Sequence, residues 1–298
     1  ELFNYDTINI ICDDFNTIHR NIPFYYSSLI FKHAFTQLGF KSNIILSSST
    51  EIAKLCENTI VLIYPHLFNL LKNIQCKIIL YNSECLIVDV NKNIPILSND
   101  VRVKMVWDYT YKNIKHNLIK HTFVPPVYAP IKLYTLPSNN KDIDILFYGA
   151  SSSSRHFRRY NILQKFKNYK NLNKNIHWVE TFNNLNDKIN CISRAKIVLI
   201  IHTYEPDLPI DYFRMNELIL QKQFFIAETP QIEDIELYNR YKEHIIFTEY
   251  NNIIETCLNY LEKTQADRDY IANNIYNFFK QEEQIEKYIT KELINELK

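Results

Sequence analysis

The chain is poor in glycine: of 298 residues only Gly39 and Gly149 are glycines. A phosphate loop of the Gly-x-x-x-x-Gly-Lys-Ser/Thr type and a three-glycine dinucleotide fingerprint are therefore both excluded. No apolar run approaches the length of a membrane-spanning helix. The six cysteines (Cys12, Cys56, Cys76, Cys85, Cys191, Cys257) show no metal-type spacing and fit a reduced, cytoplasmic compartment. Charge is nearly balanced, at +1 net, so no strong field draws the chain to nucleic acid or an anionic membrane. The first residue is Glu1, which leaves open a trimmed chain or one domain of a longer protein.

What is present is a globular composition, 46% hydrophobic and 22% charged, long enough for two α/β domains. Short apolar runs rich in β-branched residues alternate with helical spacing. In the first half they are Asn9–Cys12, Asn43–Leu46, Thr59–Tyr64, Lys77–Tyr81, Val103–Trp107 and Thr122–Val124. Helical stretches are expected over Pro23–Leu38, closed by Gly39, over His66–Lys72 and over Asn113–Lys120. Residues 129–141 carry two prolines and an Asn-Asn pair without periodicity, and read as a linker. Alternation resumes with strands at Asp144–Tyr148, Ile176–Val179, Ile197–Ile201, Phe224–Ala227 and Ile245–Phe247. Helices are expected over Arg155–Tyr169, Leu185–Arg194, Tyr212–Gln221 and Asn251–Lys263, and from Ala266 onward with a break near Gln281. The pattern predicts α/β architecture: two doubly wound parallel-sheet domains, 1–128 and 142–265, with helices in 266–298 crossing back to the first.

Two stretches carry chemistry. In DILFYGASSSSRHFRR (144–159) a strand runs into Gly149, Ala150, Ser151 and Ser152, then into a helix start bearing Arg155, Arg158 and Arg159. Glycine admits a phosphate to the backbone, and the hydroxyls, helix terminus and arginines favour an anion. A turn glycine beside a solvated basic helix face is the plainer alternative. In KIVLIIHTYEPDLPIDYFRMNELILQKQFFIAE (196–228) a buried strand leads to a loop with His202, Tyr204 and Glu205. Asp211 stands at the N-cap position of a helix holding Arg214, Asn216 and Glu217. Arg214 suits a diphosphate and Glu217 both hydroxyls of a ribose, against the alternative of an ordinary i,i+3 pair on a solvated helix.

In the first half Asp13, His19, Glu84 and Asp108 sit at predicted carboxyl ends of strands, where a general base for an acceptor hydroxyl belongs. Capping and loop roles are the plainer reading of each. Asp142-Ile143-Asp144 imitates a metal-binding motif, but it enters its strand at the amino end. The serine run lacks the His/Asp companions of a nucleophile.

The two stretches, with KIILYNSE, VKMVWDYT and FVPPVY in the first half, resemble a GT-B glycosyltransferase of the group 1/family 4-like type. The resemblance implies two Rossmann-like domains and transfer of a sugar from a nucleotide-diphosphate sugar, UDP favoured and GDP possible. It implies a glycan or glycosylated-protein acceptor and no metal or other cofactor. By the resemblance Glu217 holds the donor ribose, Arg155 the diphosphate, and Glu180 and Thr181 lie beside the base. Glu205 stands near the first acid of the family's paired glutamates at a longer spacing. Ala150 replaces the arginine usual after the loop glycine, and Asp207-Leu208-Pro209 replaces a glycine turn. An inactive glycan-binding or assembly module and a sugar-nucleotide epimerase are the alternatives.

Overall fold

The computed structural model describes residues 7–14, 22–83, 93–114, 121–131, 140–154, 156–169, 174–203, 209–230 and 234–297. The chain divides into two compact units. Of the described residues, unit 1 takes those up to Ile131 and again from Glu283, and unit 2 takes those between.

Unit 1 contains β1 (Thr7–Cys12), α1 (Ile22–Gln37), β2 (Lys41–Leu46), β3 (Ile60–Ile63), β4 (Lys77–Asn82), α2 (Asn93–Ser98), β5 (Val103–Asp108), α3 (Tyr111–Ile114) and β6 (His121–Phe123). The six strands are all parallel, in the order β2-β1-β3-β4-β5-β6. Their apolar runs lack polar alternation because both faces are covered. Ile8, Ile10, Ile60–Ile63 and Ile78–Leu80 are fully buried. Helix α1 ends as its glycine dictates. Gly39 adopts φ +89°, its N–H donates to Thr36 O and that of Phe40 to Phe35 O, each at 3.0 Å, which is a Schellman cap.

Unit 2 contains β7 (Ile143–Tyr148), α4 (Phe157–Asn168), β8 (Ile176–Val179), α5 (Leu185–Arg194), β9 (Ala195–Ile200), α6 (Tyr212–Leu220), β10 (Phe225–Glu228), α7 (Ile235–Tyr241), β11 (Ile246–Thr248), α8 (Ile253–Glu262) and α9 (Gln265–Glu282). Its five strands are also parallel, in the order β11-β10-β9-β7-β8. The core gathers Phe147, Ile197, Leu199 and Ile226 from the sheet against Ile162, Phe166 and Cys257 from α4 and α8. With few glycines available, α6 closes on a lysine. Lys222 takes φ 52°, and Gln223 N–H donates to Leu218 O at 2.9 Å.

The expected crossing back to unit 1 begins at Glu283. Tyr128 N–H donates to Glu283 O and Ile285 N–H to Tyr128 O, both at 2.9 Å, and α10 (Lys291–Asn295) follows. Helix α9 instead stays with unit 2, in contact with α6. Several expected elements differ. His66–Lys72 is a 3-10 turn over Pro65–Leu71. Of Asn113–Lys120, only Asn113 and Ile114 fall in a described helix, α3, and residues 115–120 lie outside the described residues. Helices α2 and α7 are short and were not signalled by periodicity, which needs more than two turns to declare itself.

The windings are alike. In each unit the second strand lies on one side of the first and the third strand on the other. The topological switch points are therefore β1/β3 and β7/β9, and beyond the carboxyl ends of such strands open α/β sheets bind ligands.

Candidate functional site

At the switch point of unit 2, β7 is followed directly by Gly149. This residue takes φ +130°, a conformation that L side chains rarely adopt, and donates its N–H to Val179 O at 2.9 Å. A Cβ there would meet Arg159 Nη1 at 3.6 Å and Arg214 Nη1 at 3.9 Å, so two guanidinium groups flank the glycine. Arg159 is buried. Its Nε donates to Ile201 O at 2.8 Å and its Nη1 to Ala150 O at 3.2 Å, which ties the chain after β7 to the chain after β9. In the sequence Arg159 reads only as part of a basic helix start; its place ten residues past a strand-end glycine, in the first turn of the following helix, is the available signal. Ser151 is buried and donates to Glu180 Oε1 at 2.6 Å while accepting from Trp178 Nε1 at 3.1 Å. Ser152 meets His156 Nδ1 at 3.0 Å. Ala150, Ser152 and Thr181 are exposed. Arg155 lies outside the described residues.

Helix α6 supplies the other wall. Asp211 caps it as its sequence position predicts: Oδ1 accepts from Arg214 N–H at 3.1 Å, and Oδ2 pairs with Arg214 Nε at 3.0 Å. Glu217, one turn later, is wholly buried. Its Oε2 accepts from Lys188 Nζ of α5 at 2.5 Å and from the Tyr148 hydroxyl at 3.3 Å. Burial lowers the Lys188 pKa against the pull of Glu217, and burial together with the Glu217 charge raises that of Tyr148. Three buried polar atoms of α6 have no partner among the described residues: Arg214 Nη1, Asn216 Oδ1 and Glu217 Oε1. Buried polar atoms are nearly always paired, so three unpaired ones on one short helix set α6 apart. Glu217 is thus no member of a solvated helix pair; it is a buried carboxylate with one oxygen engaged and one open.

His202 is differently placed from its expected donor-binding role. Its backbone N–H donates to Glu228 Oε2 at 2.9 Å, and its ring Nε2 lies 3.3 Å from Glu228 O. Burial pushes the imidazole down to about 4, so it is neutral and faces the end of β10. Glu228 is paired with Arg158, whose guanidinium lies over the Tyr250 ring at 4.2 Å. The network knits the ends of β9 and β10 to α4, and His202 belongs to it. Tyr204 and Glu205 lie outside the described residues.

In unit 1, Asp13 accepts from or pairs with His66 Nε2 at 2.7 Å across the β1/β3 switch point. His66 is the more exposed of the two and was missed, because a histidine after an apolar run carries no motif. Asp108 is wholly buried, with burial raising its pKa. Its oxygens accept from Asn82 Nδ2 at 2.7 Å and Asn113 Nδ2 at 3.0 Å and from the Thr110 N–H at 3.1 Å, and meet His121 Nε2 at 3.0 Å. A carboxylate so enclosed holds the ends of β4, β5 and β6 together, which corrects its expected place as a general base reaching an acceptor. His19 and Glu84 lie outside the described residues. No helix of the described residues is long and apolar enough to cross a membrane.

No protein-family model and no curated protein matches the chain. Solved structures do. An α-glucosyltransferase in complex with UDP and a 13-mer DNA superposes at TM-score 0.63 with 12% identity, over 98% of this chain and 99% of that one. HepE of Anabaena in complex with UDP-glucose gives TM-score 0.58 and 11% identity over 98% and 99%. A sucrose-phosphate synthase from Thermosynechococcus elongatus gives 0.57 and 9% over 97% and 96%. These similarities span both units, and the two parallel sheets correspond: the chain has the GT-B fold of the nucleotide-sugar glycosyltransferases.

Proposed function

We propose that the protein is a glycosyltransferase that draws a hexosyl group from a nucleotide-diphosphate sugar held by unit 2. The observation that carries this reading is the pair of open buried atoms on α6, Arg214 Nη1 and Glu217 Oε1, beside Gly149 at the switch point. One is a charged donor of the kind that binds phosphate oxygens, and the other a charged acceptor of the kind that binds ribose hydroxyls. The UDP and UDP-glucose present in the similar structures favour a uridine donor over a guanosine one.

In the reaction the acceptor oxygen bonds to the anomeric carbon. The bond from that carbon to the diphosphate oxygen breaks, and its electron pair leaves with the nucleotide. The negative charge growing on the diphosphate is met by Arg214, by Arg155 and by backbone N–H groups after Gly149, so the reading assigns no step to a metal ion. Ser151, Ser152, Glu180, Thr181, Tyr204 and Asn216 complete the donor side. Asp13, held by His66, is the acceptor-side candidate for taking the proton, with His19, Glu84 and Glu205 as further candidates. The acceptor is a glycan or a glycosylated protein; DNA, as in the α-glucosyltransferase complex, is disfavoured by a net charge of only +1.

Titration calorimetry with UDP and GDP tests the donor site. A dissociation constant of roughly 1 µM–1 mM for UDP, with slow release of glucose from UDP-glucose that persists in EDTA, is the expected result. Absence of binding to either nucleotide at millimolar concentration would overturn the reading.

A further inference from the structure

Arg214 and Glu217 are three residues apart on α6, a spacing at which opposite charges on a helix reach each other. In a buried setting, mutual pairing is the default outcome, and it would leave neither group for a ligand. The structure shows another arrangement. Arg214 is drawn toward the helix start, where Asp211 takes both its N–H and its Nε. Glu217 is drawn away by Lys188 Nζ at 2.5 Å and by the Tyr148 hydroxyl. Lys188 is itself only 2% exposed, with its ammonium 5.1 Å from the Tyr148 ring centroid. Such a buried ion pair is a poor source of stability, since apolar side chains of similar volume serve as well, so its presence calls for another reason.

We propose that Lys188 is a positioning residue that keeps Glu217 from neutralising Arg214, holding Nη1 open for a diphosphate and Oε1 open for ribose hydroxyls. The inference rests on the donor-site reading above and names what maintains that site's charge pattern. Without Lys188, Glu217 has one strong partner within reach, Arg214, and the two open atoms close on each other. Removing the Glu217 charge as well then frees Arg214 again.

The test is calorimetric titration of UDP, 2′-deoxy-UDP and inorganic pyrophosphate into the intact chain and into Lys188→Met, Lys188→Arg and the double variant Lys188→Met/Glu217→Gln. The wild type is expected to prefer UDP over 2′-deoxy-UDP about tenfold, the effect of one hydrogen bond to a charged group. Lys188→Met is expected to lose about tenfold in affinity for both UDP and pyrophosphate, and Lys188→Arg to retain both. The double variant is expected to regain pyrophosphate affinity while showing no preference for the 2′-hydroxyl, a split that mere loosening of the fold does not produce. Should Lys188→Met not fold, Lys188→Gln takes its place in the comparison. A folded single variant that binds pyrophosphate and UDP like the wild type overturns the proposal. So does a loss of pyrophosphate binding that Glu217→Gln does not restore. A wild type that binds none of the three ligands overturns the donor-site reading itself, an outcome separate from either of these.

Discussion

At the β1/β3 switch point of unit 1, Asp13 meets His66 and Asp14 meets Ser48, while along the neighbouring strand ends Asp108 is enclosed by four partners. At the β7/β9 switch point of unit 2, Arg159 bridges Ala150 and Ile201, and Arg214 and Glu217 each keep one buried atom open. The windings are the same; the side chains at the strand ends differ. One unit carries acids that are already answered, the other carries cations and a carboxylate that are half answered. The comparison teaches that the fold supplies the place for a ligand and the residues after each strand decide its charge.

The sharpest way to break this comparison is to remove a buried charge from each side. Glu217→Ala leaves Lys188 uncompensated and is expected to destabilise unit 2 by about 3–5 kcal/mol. Asp108→Ala is expected to do as much to unit 1, and urea denaturation followed in each unit measures both. If Glu217→Ala kept both stability and UDP affinity, the half-answered carboxylate would have no role.

Acidification comes next. His202 is held at about 4 when folded against 6.5 when unfolded, so between these values the unfolded chain binds the extra proton. Stability tied to this residue is present above pH 6.5 and lost as pH falls toward 4, on the order of 3 kcal/mol over that window. His202→Gln should flatten the slope in thermal melts from pH 7 to 4. An unchanged slope would show that the neutral imidazole at the end of β9 contributes nothing to it.

Arg214→Ala should weaken UDP binding by roughly 10- to 150-fold, the worth of about 1.5–3 kcal/mol for a hydrogen bond to a charged group. Asp13→Asn in unit 1 should leave UDP affinity unchanged, and the same titration compares the two units directly. Among the effects on stability, the smallest is expected of Gly149→Ala. Its Cβ would find only ordinary contacts of 3.6–3.9 Å, so the cost is that of φ +130°, about 1–3 kcal/mol, read from the urea midpoint.

Much of the fold was legible. Ile176–Val179 and Leu185–Arg194 stand as predicted, because a short run of strand-forming residues and an amphipathic helix declare themselves locally. Asp211 was readable as a cap and Gly39 as a terminator for the same reason. What was not legible depended on distant chain. Nothing near Lys188 announces that it reaches Glu217, 29 residues on, and nothing near His202 announces Glu228, 26 residues on. His66 and Asp13 are separated by 53 residues and join only because β1 and β3 are neighbours in the sheet.

The sequence alone determined the strand–helix alternation, the parallel sheets that alternation requires, and the placement of Gly149 just past a strand and of Arg214 and Glu217 in the first two turns of a helix. These follow from local periodicity, capping and backbone freedom, which act over a few residues. Only the tertiary structure decided which charges face one another: that Glu217 is buried against Lys188, that His202 turns to Glu228, and that Asp108 is shut in. Burial and pairing are set by strand order, and in a buried setting pairing determines which polar atoms stay open to a ligand.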